Sequence, residues 1–169
     1  MKIDLGTIES PIGKLTLAAR GNLVCLVHFG PATPAVTAGL TSWYPETAID
    51  EADDPGGAVG ALRRYFEGDL DSLDEIEVEL NGTTFQKNVW RALRTVKAGS
   101  TMSYAQLAKQ IGSPSAVRAV GAANGANPVA VVLPCHRIIG SNGSLTGYGG
   151  GLHRKRWLLD HEGVKRSLF

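Results

Sequence analysis

The sequence is poor in cysteine and in long apolar segments. Only Cys25 and Cys135 occur, far apart and without a CxxC spacing, which argues against a disulfide framework and against a zinc knuckle. No stretch approaches the roughly 18 apolar residues of a membrane helix. The first ten residues also lack the unbroken apolar segment of a signal peptide. We therefore expect free thiols and a cytoplasmic protein.

Basic residues are scarce in the first half of the chain, and acidic residues are scarce in the second. Residues 1–80 contain 5 Lys and Arg against 14 Asp and Glu, a balance of −9. Residues 81–169 contain 12 against 2, a balance of +10. A polyanion such as nucleic acid is therefore expected to bind the second half. In the alternative interpretation, the acidic half only keeps the basic half soluble.

Alternating apolar residues predict β-strands at the start of the chain. The apolar positions of residues 3–7 and 15–19 alternate with polar ones, and the turn residues 10–13 between them indicate a hairpin. Leu23–Phe29 predicts a third strand, with Cys25 on its core-facing side. Cys25 is therefore interpreted as a core residue.

The rest of the first half is less regular. Residues 31–57 are rich in Pro, Thr, Ala and Asp, which is typical of a long surface connection. Residues 59–66 then place apolar side chains on one face of a short helix. Residues 1–79 are predicted to form a small α/β domain and residues 80–169 a second domain.

The second half is predicted to be mainly helical. A capping box beginning at Thr83 opens a helix that should extend to about Val96, and another at Ser103 opens a short helix that Gly112 can end. A further helix is expected from Ser115 to about Gly125. The last two helices are typical of a helix-turn-helix, although many helical hairpins share this pattern.

The second of these helices has an unusually smooth face. Ala116, Ala119, Ala122 and Ala123 leave a low surface from which Arg118 projects as the only long cation. Such a surface can approach DNA closely. Alternatively, the small residues only allow the helix to pack against a neighbour.

The densest chemistry of the chain follows this helix. Asn127-Pro128 ends the helix, and the apolar residues 129–133 predict an extended run into the interior. Pro134-Cys135-His136-Arg137 follows at once and places a thiol, an imidazole and a guanidinium in consecutive positions. A lone cysteine after an apolar run is often an inert core residue, but that role does not account for the neighbouring His and Arg.

At these residues the sequence resembles the O6-alkylguanine-DNA alkyltransferases, or methylated-DNA–protein-cysteine methyltransferases. Their hallmark is Pro-Cys-His-Arg between aliphatic residues, here Leu133 and Ile138. The first half matches more loosely, mainly at residues 10–13. Across residues 81–163 the resemblance includes Ser103-Tyr104, Arg118-Ala119-Val120-Gly121, Asn127-Pro128, Gly147-Tyr148, Trp157-Leu158-Leu159 and His161-Glu162-Gly163.

The resemblance implies a catalytic set. Cys135 would attack the alkyl carbon on O6 of guanine, and His136 would remove the thiol proton through a water molecule. Glu162 would orient His136, and Tyr104 would donate a hydrogen bond or proton to the leaving base. The thioether product is not reversed by thiol exchange, so each molecule would act once.

The resemblance also implies how DNA is bound. The damaged base would be rotated out of the duplex, and Arg118 would fill the vacated space while its helix lies in the minor groove. Asn127 would tie the turn to the reactive segment. The expected DNA-contacting residues are Arg118, Ala119, Ser115, Ala116, Gly121 and Ala122, and the expected base pocket includes Ser144, Thr146, Tyr148 and Gly149 in the loop 144–151.

For the fold, the resemblance implies an α+β, two-domain protein. The first domain would be ribonuclease H-like, with an antiparallel sheet and a helix, and the second would be winged-helix-like. Some family members hold zinc in the first domain, but Cys25 and His28 have no matching ligand set, so we expect neither a metal nor another cofactor. The expected partner is double-stranded DNA carrying O6-alkylguanine, bound by a monomer that can cluster along DNA.

Three other functions remain open at this point. An alkyltransferase-like damage sensor would lack the reactive cysteine, whereas this chain keeps Cys135. A helix-turn-helix regulator would need polar readers rather than alanines on its recognition helix. A thiol hydrolase built on Cys135, His136 and Glu162 would turn over repeatedly on ester substrates.

Overall fold

The computed structural model describes residues 1–165 and contains six α-helices and six β-strands within them. Internal packing divides the chain into two units: Met1–Asn81 with Pro128–Val132, and Gly82–Asn127 with the chain from Leu133 onward. The strands are β1 (Lys2–Ile8), β2 (Leu15–Arg20), β3 (Leu23–Phe29), β4 (Ala48–Glu51), β5 (Met102–Ser103) and β6 (Ile138–Ile139). The helices are α1 (Pro34–Trp43), α2 (Val59–Phe66), α3 (Thr84–Leu93), α4 (Tyr104–Gln110), α5 (Val117–Gly125) and α6 (Leu152–His161).

The first unit is built on a four-stranded sheet in the order β3-β2-β1-β4. The predicted hairpin and third strand are confirmed, since β1 pairs antiparallel with β2, and β2 with β3. Cys25 is fully buried in a cluster with Ile3, Ala18 and Leu40, as expected for a core residue. The expected antiparallel sheet is instead mixed, because β4 pairs with β1 in parallel. A parallel neighbour requires a crossover, and α1 supplies it.

Residues 31–57 are not the surface connection that their composition indicated. They contain α1, β4 and a short 3₁₀ turn at Pro55–Gly57. Thr33 caps α1 by accepting a hydrogen bond from the Val36 amide, and Pro34 occupies the first helical position, where its missing N–H costs nothing. The Thr-Pro pair was the local signal for this helix.

Strand β3 lies at one edge of the sheet, where unpaired backbone groups would otherwise face solvent. Two short segments cover this edge. Val24 exchanges backbone hydrogen bonds with Glu77 and Glu79, and Val27 does so with residues 128–130. The segment just before the reactive cysteine motif is thereby anchored to the first unit.

In the second unit, the capping signals read from the sequence are confirmed. Thr83 and Gln86 form a capping box at the start of α3, and Ser103 and Gln106 form one at the start of α4. Helix α3 ends at Leu93 rather than near residue 96, because the next amides bond to carbonyls three residues back. No helix within residues 1–165 is long and apolar enough to cross a membrane.

The helix after α4 begins later than the sequence indicated. Gly112 adopts the expected left-handed conformation, with a φ of 79°. Residues 113–116 then form a turn, closed by a hydrogen bond from the Ala116 amide to the Ser113 carbonyl. Because Ala116 has a non-helical ψ of 33°, α5 starts at Val117 and not at Ser115.

We expect Gly6→Ala to lower the free energy of unfolding by roughly 1–3 kcal/mol, the usual cost of overpacking. A Cβ at Gly6 would lie 2.2 Å from the Ala52 carbonyl oxygen, a backbone atom that cannot rotate away. Gly60→Ala is the matched control. Gly60 lies in α2 with open space around it, so alanine should stabilise that helix by about 0.5–1 kcal/mol. Thermal unfolding of both variants measures the difference, and equal stability would contradict the predicted clash.

Candidate active site

The composition of residues 129–133 predicted an extended run before the cysteine motif, but this run is not extended in the structure. After the bridge at Val129, the chain turns sharply: the Val132 amide bonds to the Ala130 carbonyl, and Val131 has a φ of 69°. This conformation is unfavourable for a β-branched residue. Cys135 opens a 3₁₀ turn (Cys135–Arg137). The motif therefore follows a reversal of the chain and not the end of a strand.

The Cys135 thiol is buried and surrounded by polar groups. Burial raises its pKa, while hydrogen bonding from Asn127 and Tyr148 and the charge of Lys155 act in the opposite direction. The Asn127 amide also donates a 2.7 Å hydrogen bond to the Leu133 carbonyl. This bond ties the end of α5 to the reactive turn. The resting thiol is protonated, so reaction requires a base.

The imidazole next to this thiol is held by a carboxylate from the far end of the chain. His136 Nε2 lies 2.8 Å from a Glu162 oxygen, and both side chains are completely buried. Glu162 is thus not an exposed residue at a helix end. It follows α6 directly and faces the reactive turn.

Arg137 completes the buried network around this carboxylate. Its Nε and Nη2 donate to the two oxygens of Glu162 at 2.8 and 2.9 Å, and its Nη1 donates to the Val96 carbonyl at 2.6 Å. Burial alone would raise the pKa of Glu162, but His136 and Arg137 outweigh it and hold that pKa well below its usual range. The carboxylate is therefore ionised at neutral pH.

These partners also determine the protonation of His136. Burial lowers the pKa of its imidazole, and attraction to Glu162 only partly opposes this, so the ring is neutral. A neutral ring beside a carboxylate carries its proton on Nε2 and donates it to Glu162. Nδ1 is then an acceptor, and it has no hydrogen-bond partner within residues 1–165. The geometry thus provides an oriented base directly after the cysteine.

Tyr104 and the buried Lys155 lie together in the same unit. The Lys155 ammonium is 6.0 Å from the centre of the Tyr104 ring. An added Cβ on Gly121 would lie 3.8 Å from the same ring, an ordinary van der Waals distance, so α5 passes close to Tyr104 at this residue. Gly121, expected at the DNA surface, therefore also packs against a side chain of α4.

The smooth face of α5 differs in one residue from the sequence interpretation. Arg118, Ala119 and Ala122 are exposed and Ala116 is half-buried, but Ala123 is buried. The Ala123 carbonyl accepts a hydrogen bond of 2.8 Å from the Trp90 indole. Ser115 is exposed in the turn before the helix, and Val117 adds an exposed apolar side chain that the sequence interpretation did not include.

The loop 144–151 contains the remaining predicted residues. Ser144 belongs to a tight turn, where its hydroxyl donates to the Asn142 side chain at 2.7 Å and its carbonyl accepts from the Gly140 amide at 2.9 Å. Thr146 and Gly149 are exposed, and Tyr148 is half-buried beside the thiol. The structure therefore brings Tyr148 to Cys135 and engages Ser144 in the turn itself.

Lys155 and Asn124 were missed by the sequence interpretation. Lys155 is fully buried, and Asn124 donates a weak 3.4 Å hydrogen bond to the Cys135 carbonyl. The signal for Lys155 was its spacing: residues 155, 158, 159 and 162 form one buried stripe at helical periodicity.

Within residues 1–165, no group of three His, Cys, Asp or Glu side chains is arranged to hold a metal ion.

Comparison with known protein families points to one group. Residues 84–164 match the family model for the 6-O-methylguanine DNA methyltransferase, DNA binding domain. The chain is 49% identical over 163 residues to the methylated-DNA–protein-cysteine methyltransferase of Mycobacterium bovis, covering 95% of this chain and 92% of that protein. The Salmonella typhimurium protein of the same name is 57% identical over 112 residues, 66% of each chain.

Solved structures agree with these sequence relatives. The Mycobacterium tuberculosis O6-methylguanine methyltransferase superimposes with a TM-score of 0.78 at 44% identity, covering 95% of this chain and 92% of that chain. The OGT of the same organism in complex with DNA gives a TM-score of 0.77 at 44% identity, with coverages of 98% and 97%. The mixed sheet and the helices of this chain are those of an α+β protein, like these structures.

Proposed function

The chain belongs to the methylated-DNA–protein-cysteine methyltransferase family, and from this membership we propose that Cys135 is the residue that accepts the alkyl group. The protein repairs DNA by direct reversal of damage and binds DNA. Its substrate is O6-alkylguanine in duplex DNA, with O4-alkylthymine as a further candidate. Each molecule reacts once, because a thioether is not cleaved by thiol exchange.

The buried pair of His136 and Glu162 beside Cys135 is the observation that carries this proposal. A thiol whose pKa is raised by burial needs a base, and a neutral imidazole with a free Nδ1 is a suitable one. His136 takes the thiol proton through a water molecule. Glu162 stabilises the resulting imidazolium.

The transfer itself is a displacement at the alkyl carbon. The Cys135 sulfur forms the new S–C bond as the bond from that carbon to O6 breaks, and the electron pair stays on the guanine. Tyr104 donates a hydrogen bond or proton to the base as this negative charge develops. Asn127 and Tyr148 stabilise the thiolate while it attacks.

Intact-mass analysis tests the acceptor assignment. Incubation with a duplex containing one O6-methylguanine should add one methyl group per protein, and peptide mapping should locate it on Cys135. Excess damaged DNA should add no second methyl. Modification at another residue, or repeated turnover of the DNA by unmodified protein, would contradict the proposal.

The DNA-contacting surface proposed here is the exposed part of α5 with the turn before it. Arg118 stands among small side chains that allow the helix to lie close to the minor groove. Rotating a base out of the stack costs a few kcal/mol. The guanidinium offsets part of that cost by filling the vacated space.

Arg118→Ala should slow repair of duplex DNA by roughly 100-fold, since a few kcal/mol of compensation is lost. Reaction with free O6-benzylguanine should be almost unchanged, because no base must be rotated out. Arg91→Ala is the control: it removes the same charge from an exposed position of α3. Equal losses on duplex and free base would exclude the base-flipping role.

The finer architecture is part of the proposal. We assign residues 1–79 to a ribonuclease H-like supporting domain and residues 80–169 to a winged-helix-like domain for DNA binding and alkyl acceptance. Helices α4 and α5 with the Gly112 turn provide the helix-turn-helix, and β5 and β6 with the turn at 140–144 provide the wing. The protein is proposed to act in the cytoplasm as a monomer that can cluster on DNA.

A further inference from the structure

Lys155 is a buried cation that has no role in the proposed proton removal and alkyl transfer. It lies in α6 with no exposed surface, one turn before the buried Leu158 and Leu159. Burying an ammonium group is costly unless it is satisfied by specific partners. A methionine of similar length would fill the same space without that cost, so the charge at this position calls for an explanation.

The partners of this ammonium connect two parts of the site. Nζ donates a 2.7 Å hydrogen bond to the carbonyl of Ile138, which directly follows the reactive turn, and a 3.0 Å hydrogen bond to the carbonyl of Thr146. Ile138 belongs to the buried strand β6, whereas Thr146 is an exposed residue of the loop 144–151. A single side chain therefore joins the loop to the core.

The loop also has other contacts: Arg154 Nη1 donates a 2.8 Å hydrogen bond to the Gly150 carbonyl, and Leu145 packs against a buried apolar cluster. Thr146 and Gly147 are exposed, and Gly147 and Gly151 both have positive φ angles. A glycine-rich loop without regular secondary structure loses much conformational entropy when it is held in one conformation. Lys155 supplies one charge-assisted hydrogen bond to the loop at Thr146, two residues before Tyr148, and a second one to Ile138 in the core.

The same ammonium acts on the reacting sulfur. Its positive charge favours the Cys135 thiolate, against the burial that raises the pKa of that thiol. Burial lowers the pKa of Lys155 to about 8, and the Cys135 thiolate opposes that fall once it forms. The Tyr104 ring lies 6.0 Å from this ammonium, and the neutral His136 also interacts with it. Lys155 is therefore charged at pH 7.

We propose that Lys155 is a positioning residue that fastens the loop 144–151 over Cys135 and places a positive charge beside the developing thiolate. This role rests on the proposed alkyl acceptance and adds to it a residue that prepares both the base pocket and the nucleophile. Because the two effects have different readouts, they can be separated by experiment. One is the mobility of the loop, and the other is the pH at which the thiol becomes reactive.

Lys155→Met tests both effects, and Arg156→Met is the matched control. Arg156 is an exposed neighbour on the same helix, so its variant removes one charge without touching the loop. In Lys155→Met, amide hydrogen exchange within residues 144–151 should accelerate roughly 10- to 100-fold, the loss expected for hydrogen bonds to a charged group. Exchange in α3 and in the control variant should be unchanged.

The second readout is alkylation of Cys135 by free O6-benzylguanine across a range of pH. In Lys155→Met the rate at pH 7 should fall, and the rise with pH should shift to higher pH, because the thiolate loses its cation. A residue with only a packing role would lower the rate without moving the profile. Lys155→Gln keeps a hydrogen-bond donor but no charge, so it should retain part of the loop protection and still show the pH shift.

The outcomes distinguish this role from the reaction on which it rests. If wild-type protein is not alkylated at all, the proposed function fails, while the exchange experiment still decides whether Lys155 holds the loop. If wild-type protein reacts, and Lys155→Met shows unchanged loop exchange and an unchanged pH profile, the positioning role is overturned. If Lys155→Met does not fold, Lys155→Gln provides the same two tests.

Discussion

Cys135→Ser should abolish alkyl acceptance while leaving the fold and DNA binding intact. Serine is close in size to cysteine, but its hydroxyl is far less acidic than a thiol, and the neutral His136 cannot ionise it effectively. After incubation with an O6-methylguanine duplex, the variant should gain no methyl group, and the damaged base should remain in the DNA. Wild-type protein should be methylated to completion.

Cys25→Ala provides the control for this experiment. Cys25 is the only other cysteine in the chain, and it is completely buried in the core of the first unit. Burial raises the pKa of its thiol to about 11, so it remains protonated at neutral pH. This variant should still accept one methyl group, with at most a modest loss of stability. Methylation of the Cys135→Ser variant on Cys25 would refute the assignment.

Turnover on an activated ester separates alkyl transfer from hydrolysis. A thiol hydrolase using Cys135, His136 and Glu162 would release product and turn over on an activated ester. The proposed acceptor should instead show at most one equivalent of reaction with such a substrate. Sustained ester turnover that disappears in Cys135→Ser would favour the hydrolase interpretation.

Glu162→Gln should slow alkylation by roughly 10²- to 10⁴-fold, the usual contribution of a general base. Its carboxylate keeps His136 oriented and raises the basicity of the imidazole against the effect of burial. Glutamine is similar in shape but carries no charge, so His136 becomes a weaker base. The rate should then rise only at higher pH, where solvent ionises the thiol, and the pH–rate profile measures this shift.

The same substitution should also lower the free energy of unfolding by about 3–5 kcal/mol, because Arg137 is left buried without its anion. The pKa of Glu162 is depressed in the folded protein, so its contribution to stability is present at neutral pH and is lost as the pH falls below about 4. The stability difference between wild type and variant should therefore shrink in acid, as chemical denaturation at several pH values can measure.

Asp160→Asn is the control for Glu162→Gln. Asp160 and Glu162 are the only acidic residues in the second half of the chain, so both variants change the charge there equally. Asp160 is half-buried in α6, whereas Glu162 contacts His136 directly. A rate loss of similar size in both variants, with an unchanged pH profile in Glu162→Gln, would contradict the relay.

Local signals in the sequence predicted local structure well. The capping boxes at Thr83 and Ser103 and the left-handed Gly112 depend on hydrogen bonds and sterics within one helical turn, so they are readable from a few residues. The parallel pairing of β4 with β1 depends on contacts about 45 residues apart, which no window of sequence contains. That pairing changed the sheet from antiparallel to mixed.

The same distinction applies to the site. The thiol, imidazole and guanidinium are neighbours in the chain, so the motif alone identified them. Spacing cannot place the carboxylate of Glu162 beside His136, which is 26 residues away, and helical periodicity indicates that Lys155 is buried but not which groups it contacts. Family resemblance indicated Glu162 but gave no task to Lys155.

The sequence by itself determined the reactive residue types, the local helix starts and the opposite charges of the two halves, because each depends on the chemistry of neighbouring residues or on composition. Only the tertiary structure decided that Cys135 follows a reversal of the chain at Val131. It also decided that Glu162 contacts His136 and that Lys155 donates to the Ile138 carbonyl, on either side of Arg137. Burial shifts pKa values and makes hydrogen bonds strong, and burial exists only once distant segments have packed together.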